Sequence, residues 1–234
     1  MCEYCGCNDS GVLPVNVHQN ILVRNDRAAQ HNREHFRGAG VLVVNLMGSP
    51  GCGKTALLEA TARTIGTGHL AAISGDLATD ADAERLQRAG IVSTSITTGS
   101  ACHLDAEMVH QALHRLDWRL AKILFVENVG NLVCPAVYDL GQQVNVVALS
   151  VTEGDDKPLK YPVMFRKADL VVITKIDLLP HLPSVSLDRL KDALRQTMPR
   201  PTFFEVSAAT GAGIDQWQAW LGTRSQALAA EAPG

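Results

Sequence analysis

A glycine-rich segment near residue 50 has the residue types and spacing that bind a phosphate chain. Residues 48–55, GSPGCGKT, match the pattern G-x-x-x-x-G-K-[ST] between an apolar run and a helical stretch. The glycines let backbone N–H groups turn toward phosphate oxygens, and a helix that starts at Lys54 adds the positive end of its dipole. We expect Lys54 to reach the β- and γ-phosphates and Thr55 to bind Mg²⁺. The predicted nucleotide-binding residues here are Gly48, Gly51, Cys52, Gly53, Lys54, Thr55 and Ala56, with Cys52 as a small filler.

A second motif indicates which base is bound. Thr174-Lys175-Ile176-Asp177 follows an apolar run, at the place where GTPases carry N-K-x-D. Asp177 can accept hydrogen bonds from the guanine N1–H and exocyclic amine, which adenine does not offer, and the stem of Lys175 would pack along the base. Thr174 replaces the usual Asn, which alters one supporting hydrogen-bond network. Ser207-Ala208-Ala209 resembles the loop that supports the guanine carbonyl, so the sequence favours GTP over ATP.

Two carboxylates compete for the second Mg²⁺ ligand. Asp76 and Glu127 each stand at the end of a predicted strand, and either can bind the ion directly or through water. Together with Lys54 they form the predicted catalytic set. The charged segment 80–85 is either a loop that senses the γ-phosphate or a charged helix N-terminus. Asn131 stands where small signalling GTPases place a water-orienting Gln, which predicts slow hydrolysis.

Three cysteines at the start of the chain predict a metal site. Cys2, Cys5 and Cys7 form C-x₂-C-x-C, in which three thiolates can face one ion at little closure cost. The α-amino group can supply a fourth ligand, and an S₃N set suits square-planar Ni²⁺ as well as tetrahedral Zn²⁺. The alternative is a disordered tail with free thiols, which would oxidise readily. We expect a short, flexible, metal-binding N-terminal tail.

A second metal site is predicted from Cys102, His103 and Cys134. Cys102-His103 is expected to open a helix beside the nucleotide, and Cys134 lies just past the loop that follows Glu127. A lone buried cysteine is usually only a small apolar residue, but this combination of ligands suits nickel or zinc. Three ligands leave an open position for water or for residues of a second subunit, which would couple metal binding to dimerisation.

Histidines recur at helical spacing in two further places. His31 and His35 lie one turn apart in an amphipathic helix predicted around 18–36, and His110 and His114 follow His103 on one face of another helix. The pair at 31 and 35 could chelate a metal ion. Many Arg and Asn residues surround it, however, and we expect both histidine faces to be solvated.

Length and composition limit the kinds of protein that can carry these motifs. A chain of 234 residues with 46% hydrophobic and 19% charged residues suits one large α/β unit with a buried core. The net charge of −3 argues against a nucleic-acid partner. No apolar run approaches the ~18 residues of a membrane span, and the first twenty residues lack the order of a secretory signal. We therefore expect a cytoplasmic protein without a membrane partner.

Short apolar runs alternate with helical stretches from residue 41 onward. The runs are rich in β-branched residues, which predicts strands, and their alternation with helices predicts a mostly parallel β-sheet flanked by helices on both faces. The predicted strands are 41–47, 70–74, 122–128, 144–151, 169–175 and 202–207, and the predicted helices are 54–66, 80–89, 104–117, 186–197 and 213–222. The predicted divisions are an N-terminal metal-binding tail with a leading helix (1–37), a P-loop GTPase domain (38–225) and a flexible C-terminus (226–234).

Taken together, the motifs resemble those of the HypB family, the nickel-incorporation GTPases of hydrogenases. The resemblance runs from MCEYCGC through GSPGCGKT, GDLATDADAERL, ENVGNLVCP and SVTEGDDKPLKYP to TKIDLLP. It implies a P-loop GTPase fold of the SIMIBI class, a nucleotide-dependent homodimer, and delivery of nickel for [NiFe]-hydrogenase assembly. It also implies GTP or GDP, Mg²⁺, Ni²⁺ and Zn²⁺ as ligands. The implied partners are a zinc-containing nickel chaperone and the maturation machinery of the hydrogenase large subunit.

The same resemblance assigns the two thiol clusters. It implies a tight nickel site at Cys2, Cys5 and Cys7, and a weaker nickel or zinc site at the dimer interface. The residues of the weaker site would be Cys102, His103 and Cys134. Some relatives carry a long His-rich stretch that this chain lacks, so we do not expect bulk nickel storage.

Three other functions compete with this interpretation. A related GTPase that serves urease is the nearest, but the N-terminal C-x₂-C-x-C favours the hydrogenase branch. A passive metal-storage protein would use the nucleotide only to stabilise its fold. A P-loop kinase would carry an Arg-rich lid, and 150–168 contains four basic residues, yet Asp177 and Ser207 match the guanine pattern.

Overall fold

A seven-stranded parallel sheet organises the part of the chain that the structure describes. The computed structural model describes residues 15–231, and it describes side chains from 20 to 230. The strands are β1 (Leu42–Met47), β2 (Leu70–Asp76), β3 (Val92–Thr97), β4 (Ile123–Glu127), β5 (Val144–Ser150), β6 (Leu170–Thr174) and β7 (Phe203–Glu205). They lie in the order β3-β2-β4-β1-β5-β6-β7, and all neighbours are parallel. The predicted α/β fold with a parallel sheet is confirmed.

Helices cover both faces of this sheet. They are α1 (Val15–Ala39), α2 (Lys54–Ile65), α3 (Ala81–Arg88), α4 (Ala106–Leu113), α5 (Lys157–Lys160), α6 (Pro162–Lys167), α7 (Leu187–Thr197) and α8 (Ile214–Glu231). Alternate residues of β1 face opposite ways: Val44 packs with α2 and α8, whereas Val43 packs with α1 and α4. Under β5 and β6, α6 and α7 cover that second face. Because both faces are buried, the central strands are apolar throughout, which made them predictable.

Several elements differ from the sequence prediction. The strand β3 was not predicted, because it lies at the edge of the sheet, where only Ile96 is buried and its Ser and Thr residues make no apolar run. The short helices α5 and α6 were not predicted either. The helix α4 begins at Ala106 rather than 104, so Cys102 and His103 lie in the loop before it. The last helix continues past the predicted end at 222, and the C-terminal segment predicted to be flexible from 226 is helical as far as Glu231.

The helix α1 is longer than predicted and packs through a face that carries asparagines. Its buried residues are Asn25, Ala29, Asn32 and Phe36. The Asn25 amide donates to the Asp139 carbonyl (2.8 Å), and the Asn32 amide donates to the carbonyls of Ala106 (2.8 Å) and Leu140 (3.1 Å). These bonds attach α1 to the start of α4 and to the segment before β5. Leucine and valine are sparse in α1 because amide hydrogen bonds, and not only apolar contacts, hold it in place.

Candidate functional site

The predicted phosphate loop lies at the carboxyl end of the central strand β1. Residues 48–53 connect β1 to α2. Within this loop, Pro50, Gly51 and Gly53 border a cavity of about 490 Å³, which is also lined by Asp76, Asp82 and Glu127. The sheet order reverses around β1, whose neighbours are β4 and β5. In open parallel sheets, such a reversal leaves a crevice at the carboxyl ends of the strands, where ligands bind.

The conformation of this loop requires glycine. Gly48 has φ of 151°, and a Cβ there would overlap the Ala148 carbonyl oxygen and the Cys52 sulfur. Gly53, with φ of 97°, precedes the first residue of α2 and has no side chain that could cap the helix N–H groups. Those N–H groups are therefore available to an anion. The Lys54 ammonium donates to the Ser49 carbonyl (3.3 Å), which places its charge across the loop.

The Thr55 hydroxyl lies between two carboxylates. It is 2.7 Å from Glu127 Oε1 and 2.9 Å from Asp82 Oδ1. Glu127 is buried, and its Oε2 has no hydrogen-bond partner among the described residues. Burial raises the pKa of Glu127 to about 7, although Lys54 and the bond from Thr55 act in the opposite direction. A buried, under-satisfied carboxylate beside a hydroxyl is a donor set that fits Mg²⁺.

The two acidic residues that the sequence left as alternatives make different contacts. Glu127 contacts Thr55, whereas Asp76 lines the same cavity and uses Oδ1 to accept the Ala78 N–H (3.0 Å). Asp82 was predicted only as part of the charged segment 80–85, and its contact with Thr55 was missed. No sequence motif signals this contact, because 27 residues separate the two side chains.

A second cavity of about 270 Å³ lies where the sequence places the base. Asp177, Lys175, Ala208 and Ala56 all line it. The Lys175 ammonium donates to the Gly51 carbonyl (2.7 Å). Lys175 is the one non-glycine residue with positive φ (59°) among those described, and the buried Ser207 hydroxyl accepts the Thr210 N–H (3.1 Å). The TKID and SAA segments thus meet at one cavity, which opens next to the phosphate loop.

Thr174 connects these two cavities in place of the usual asparagine. Its hydroxyl donates to the Cys52 carbonyl in a buried bond of 2.6 Å. With threonine at this position, a hydroxyl group rather than an asparagine amide links the TKID segment to the phosphate loop. The Cys52 side chain is buried, and burial raises the pKa of its thiol to about 11. A thiol that stays protonated suits the small-filler role predicted for it.

The three ligands of the second predicted metal site come together. The sulfur atoms of Cys102 and Cys134 are 2.9 Å apart, and His103 Nδ1 is 3.8 Å from the Cys102 sulfur. One ligand atom from each residue lies within 4.8 Å of the others. His103 stacks on Tyr138, with ring centroids 3.8 Å apart, and burial lowers the pKa of His103. A neutral imidazole beside two thiols can bind a soft or borderline metal ion.

One loop joins the two sites. Residues 128–133 run from the end of β4 to Cys134, and the Asn131 N–H donates to the Gly48 carbonyl of the phosphate loop (3.1 Å). The buried side chain of Asn128 accepts the Leu104 N–H (3.2 Å) and donates to Asn45 on β1 (3.1 Å). Sequence reasoning missed Asn128, whose role depends on contacts with two other segments, at Leu104 and on β1.

The other predicted residues divide into two groups. Cys2, Cys5 and Cys7 lie outside the described residues. The helices α1 and α4 bring His31 and His35 beside His110, with ring centroids 4.5 to 5.8 Å apart. His31 is exposed, as expected, whereas His35 and His110 are only partly exposed, and burial is the largest cause that lowers the pKa of both. His114 is exposed, as expected.

Comparison with known proteins agrees with this geometry. A family model described as the CobW/HypB/UreG nucleotide-binding domain matches residues 42–205. A hydrogenase maturation factor HypB from Azotobacter vinelandii is 48% identical over 218 residues, which cover 91% of this chain and 72% of the relative. None of the described helices is long and apolar enough to cross a membrane.

Two solved structures share the fold over most of the chain. HypB from Helicobacter pylori in complex with nickel superposes with a TM-score of 0.83 at 38% identity, covering 87% of this chain and 95% of that one. HypB from Archaeoglobus fulgidus has a TM-score of 0.81 at 40% identity, covering 87% of this chain and 100% of that one. The chain therefore belongs to the CobW/HypB/UreG family of P-loop GTPases, and within that family to the HypB proteins.

Proposed function

We propose that this protein is a cytoplasmic, GTP-hydrolysing nickel metallochaperone that delivers nickel during [NiFe]-hydrogenase maturation. The observation that carries the proposal is the segment from Glu127 to Cys134. It begins at the carboxylate beside Thr55 and ends at a thiol of the Cys102-His103-Cys134 cluster. A change at the nucleotide can therefore alter the distance between the two thiols. The names of the relatives support the biological setting, because they are hydrogenase maturation factors and one was solved with nickel.

The described residues would bind the nucleotide through its phosphates and its base. The loop N–H groups and the Lys54 ammonium face the phosphates, and Asp177 reads the guanine edge. Thr55, Glu127 and Asp82 would hold Mg²⁺, which supplies charge neutralisation at the β- and γ-phosphates when bound. The Asn131 N–H donates to the Gly48 carbonyl of the phosphate loop, and its side-chain oxygen accepts the Val133 N–H (2.8 Å). It is thus engaged rather than free to orient a water molecule, which supports slow intrinsic hydrolysis.

A second copy of this chain would complete the Cys102-His103-Cys134 cluster. Three ligands leave one position of a tetrahedral or square-planar ion open. The apolar side chains of Val133 and Val137 flank Cys134 and are 54% and 47% exposed. Apolar surface beside an incomplete set of ligands favours burial against a partner that carries the same residues. Nickel or zinc binding would then be linked to nucleotide-dependent dimerisation.

The remaining parts of the proposal follow from the resemblance to HypB proteins. They are a tight nickel site at Cys2, Cys5 and Cys7, and transfer that involves a zinc-containing nickel chaperone and the maturation machinery of the hydrogenase large subunit. A urease-serving role is disfavoured by the N-terminal C-x₂-C-x-C. The basic residues of 150–168 do not act as a kinase lid in this proposal, because Lys157 and Lys160 pair with Glu153 and Asp156.

Metal titration of the full-length protein tests the proposal. Binding of Ni²⁺ and Zn²⁺ is measured in the nucleotide-free, GDP and GTP-analogue states, with mass read by light scattering. Cys2→Ala/Cys5→Ala should remove one tight nickel equivalent. Cys102→Ala should remove a weaker equivalent whose affinity in the parent protein changes with nucleotide and whose occupancy follows dimer mass.

The controls separate nucleotide gating from simple metal binding. Cys52→Ala removes a buried thiol outside both clusters and should leave the metal stoichiometry unchanged. Lys54→Ala should abolish GTP turnover. One nucleotide-independent zinc site with constant mass would instead indicate a GTPase with structural thiols. Turnover that survives Lys54→Ala would overturn the assignment of the phosphate loop.

A further inference from the structure

A cluster of histidines between α1 and α4 is not used by the proposed function. His31 and His35 lie on α1, and His110 lies on α4. One ring nitrogen from each residue lies within 4.8 Å of the others. His31 Nε2 and His35 Nε2 are 3.0 Å apart. A tetrahedral ion with metal–nitrogen bonds of about 2.0 to 2.1 Å separates its ligand nitrogens by about 3.3 Å, so little movement would be needed to bind one.

The hydrogen bonds around His110 indicate which of its ring nitrogens carries the proton. The Asn32 amide nitrogen already donates to two backbone carbonyls, so its oxygen is the atom that faces His110 Nδ1 at 3.1 Å. An amide oxygen can only accept, and Nδ1 therefore carries the proton. In the neutral ring, Nε2 is then an acceptor; it lies 3.3 Å from His114 Nε2, and this contact must be released for Nε2 to bind a metal ion. Histidine ligands in metal sites are commonly held by such a bond at the second nitrogen.

Asn32 is itself held rigidly. It is buried, and its two amide bonds reach Ala106 at the start of α4 and Leu140 in the segment before β5. The position of His110 is thus determined by the packing of α1 on α4 before any ion binds. Pre-organised ligands lose little conformational freedom on binding, which raises affinity.

The surroundings admit a cation. A surface depression of about 340 Å³ next to His31 and His35 is lined by Glu34 and Arg119, whose charges oppose each other. The set consists of imidazoles without a thiolate, which suits Zn²⁺, Ni²⁺ and Cu²⁺ better than hard ions such as Mg²⁺. Three ligands leave a fourth position open to water.

We propose that His31, His35 and His110 form a separate three-imidazole site for a divalent first-row transition-metal ion, which fastens α1 to α4. The site does not depend on the proposed nickel delivery, because it shares no ligand with either thiol cluster. It would hold the leading helix in place on the domain. Metal binding here would therefore stabilise the α1–α4 packing.

Equilibrium dialysis of the full-length protein against Zn²⁺ measures the number of bound ions. His31→Ala/His35→Ala should bind one equivalent fewer than the parent protein. His69→Ala/His181→Ala removes the same number of imidazoles from exposed positions outside the cluster and should lose none. His110→Ala should lower the affinity of this site for Zn²⁺ at least tenfold, because it removes the ligand that α4 contributes. His114→Ala removes a neighbouring imidazole that is not one of the three ligands and should retain the ion.

Two further measurements separate ion binding at the histidines from ion binding at the thiols. With Co²⁺ as the probe, the lost equivalent should leave the thiolate-to-cobalt charge-transfer absorption unchanged, since no sulfur is involved. In a Cys2→Ala/Cys5→Ala/Cys7→Ala/Cys102→Ala/Cys134→Ala background, one Zn²⁺ should remain and should raise the melting temperature. Equal binding by the parent and His31→Ala/His35→Ala would overturn the proposal. So would binding that His110→Ala leaves unchanged, because the ion would then be held by the α1 pair alone.

Discussion

Replacing Glu127 by Gln should remove a pH dependence from the stability of the nucleotide-free protein. Burial raises the pKa of Glu127 to about 7, whereas the unfolded chain has the ordinary value of 4.5. Between these two values the folded state binds more protons than the unfolded state. The free energy of unfolding contributed by this residue is therefore highest below pH 4.5 and falls as pH rises through 7.

The magnitude follows from the two pKa values. One pH unit corresponds to about 1.4 kcal/mol, so the wild-type protein should lose about 2 to 3 kcal/mol between pH 5 and pH 8 through this group. That loss is a large share of a typical stability of about 5 to 15 kcal/mol. Glu127→Gln has nearly the same shape and cannot ionise. The free energy of unfolding of the variant should therefore increase relative to that of the wild type as pH rises.

The assay is urea unfolding of metal-free, nucleotide-free protein, followed by tryptophan fluorescence from pH 5 to pH 8. The quantity of interest is the difference between wild type and Glu127→Gln at each pH, because other titrating groups cancel in it. Glu84→Gln changes an exposed carboxyl on α3 and should show no such trend. With Mg²⁺ and GDP present, the wild type should regain stability at pH 8 and the variant should regain less. A wild-type to Glu127→Gln difference that stays constant from pH 5 to pH 8 would refute the reasoning.

Three further substitutions test the nucleotide site. Asp177→Asn should lower the affinity for GTP at least tenfold in a titration with a fluorescent analogue, because an oxygen that accepts from the guanine N1–H or amine is replaced by a donor. Unchanged affinity would show that the base binds elsewhere. Thr174→Val keeps the shape of the side chain but leaves the Cys52 carbonyl unpaired. It should lower the free energy of unfolding, measured by urea titration, by about 1 to 3 kcal/mol, and a loss below about 0.5 kcal/mol would contradict the role of this bond. Gly130→Ala would place a Cβ 2.8 Å from the Pro50 backbone and should displace the phosphate loop. The affinity for GDP, measured by calorimetry, should therefore fall sharply. An unchanged far-ultraviolet circular dichroism spectrum would show that the variant still folds.

Local motifs made much of the nucleotide site predictable. The phosphate loop, the TKID segment and the Ser207 loop each carry their signal within a few consecutive residues, because backbone conformation and side-chain chemistry are specified together there. The buried strands were equally visible, since a parallel strand covered on both faces is a continuous apolar run. The edge strand β3 lacked that run, because most of it is not buried.

Contacts between distant segments explain what the sequence did not reveal. The contacts of Glu127 and Asp82 with Thr55 depend on how the end of β4 and α3 approach the start of α2. The asparagines of α1 look like surface residues in the sequence, yet Asn32 is buried against backbone carbonyls 74 and 108 residues away.

The histidines show clearly which contacts follow from helical spacing and which require helix packing. Helical spacing alone placed His31 beside His35, and it correctly left His114 exposed. It could not place His110 beside them, because that neighbour comes from the packing of α1 on α4. The sequence determined the fold class, the phosphate loop and the base motif through short-range patterns. Only the tertiary structure decided that Asp82 joins Glu127 at Thr55 and that His110 joins His31 and His35, because side chains distant in the sequence meet only after the helices have packed on the sheet.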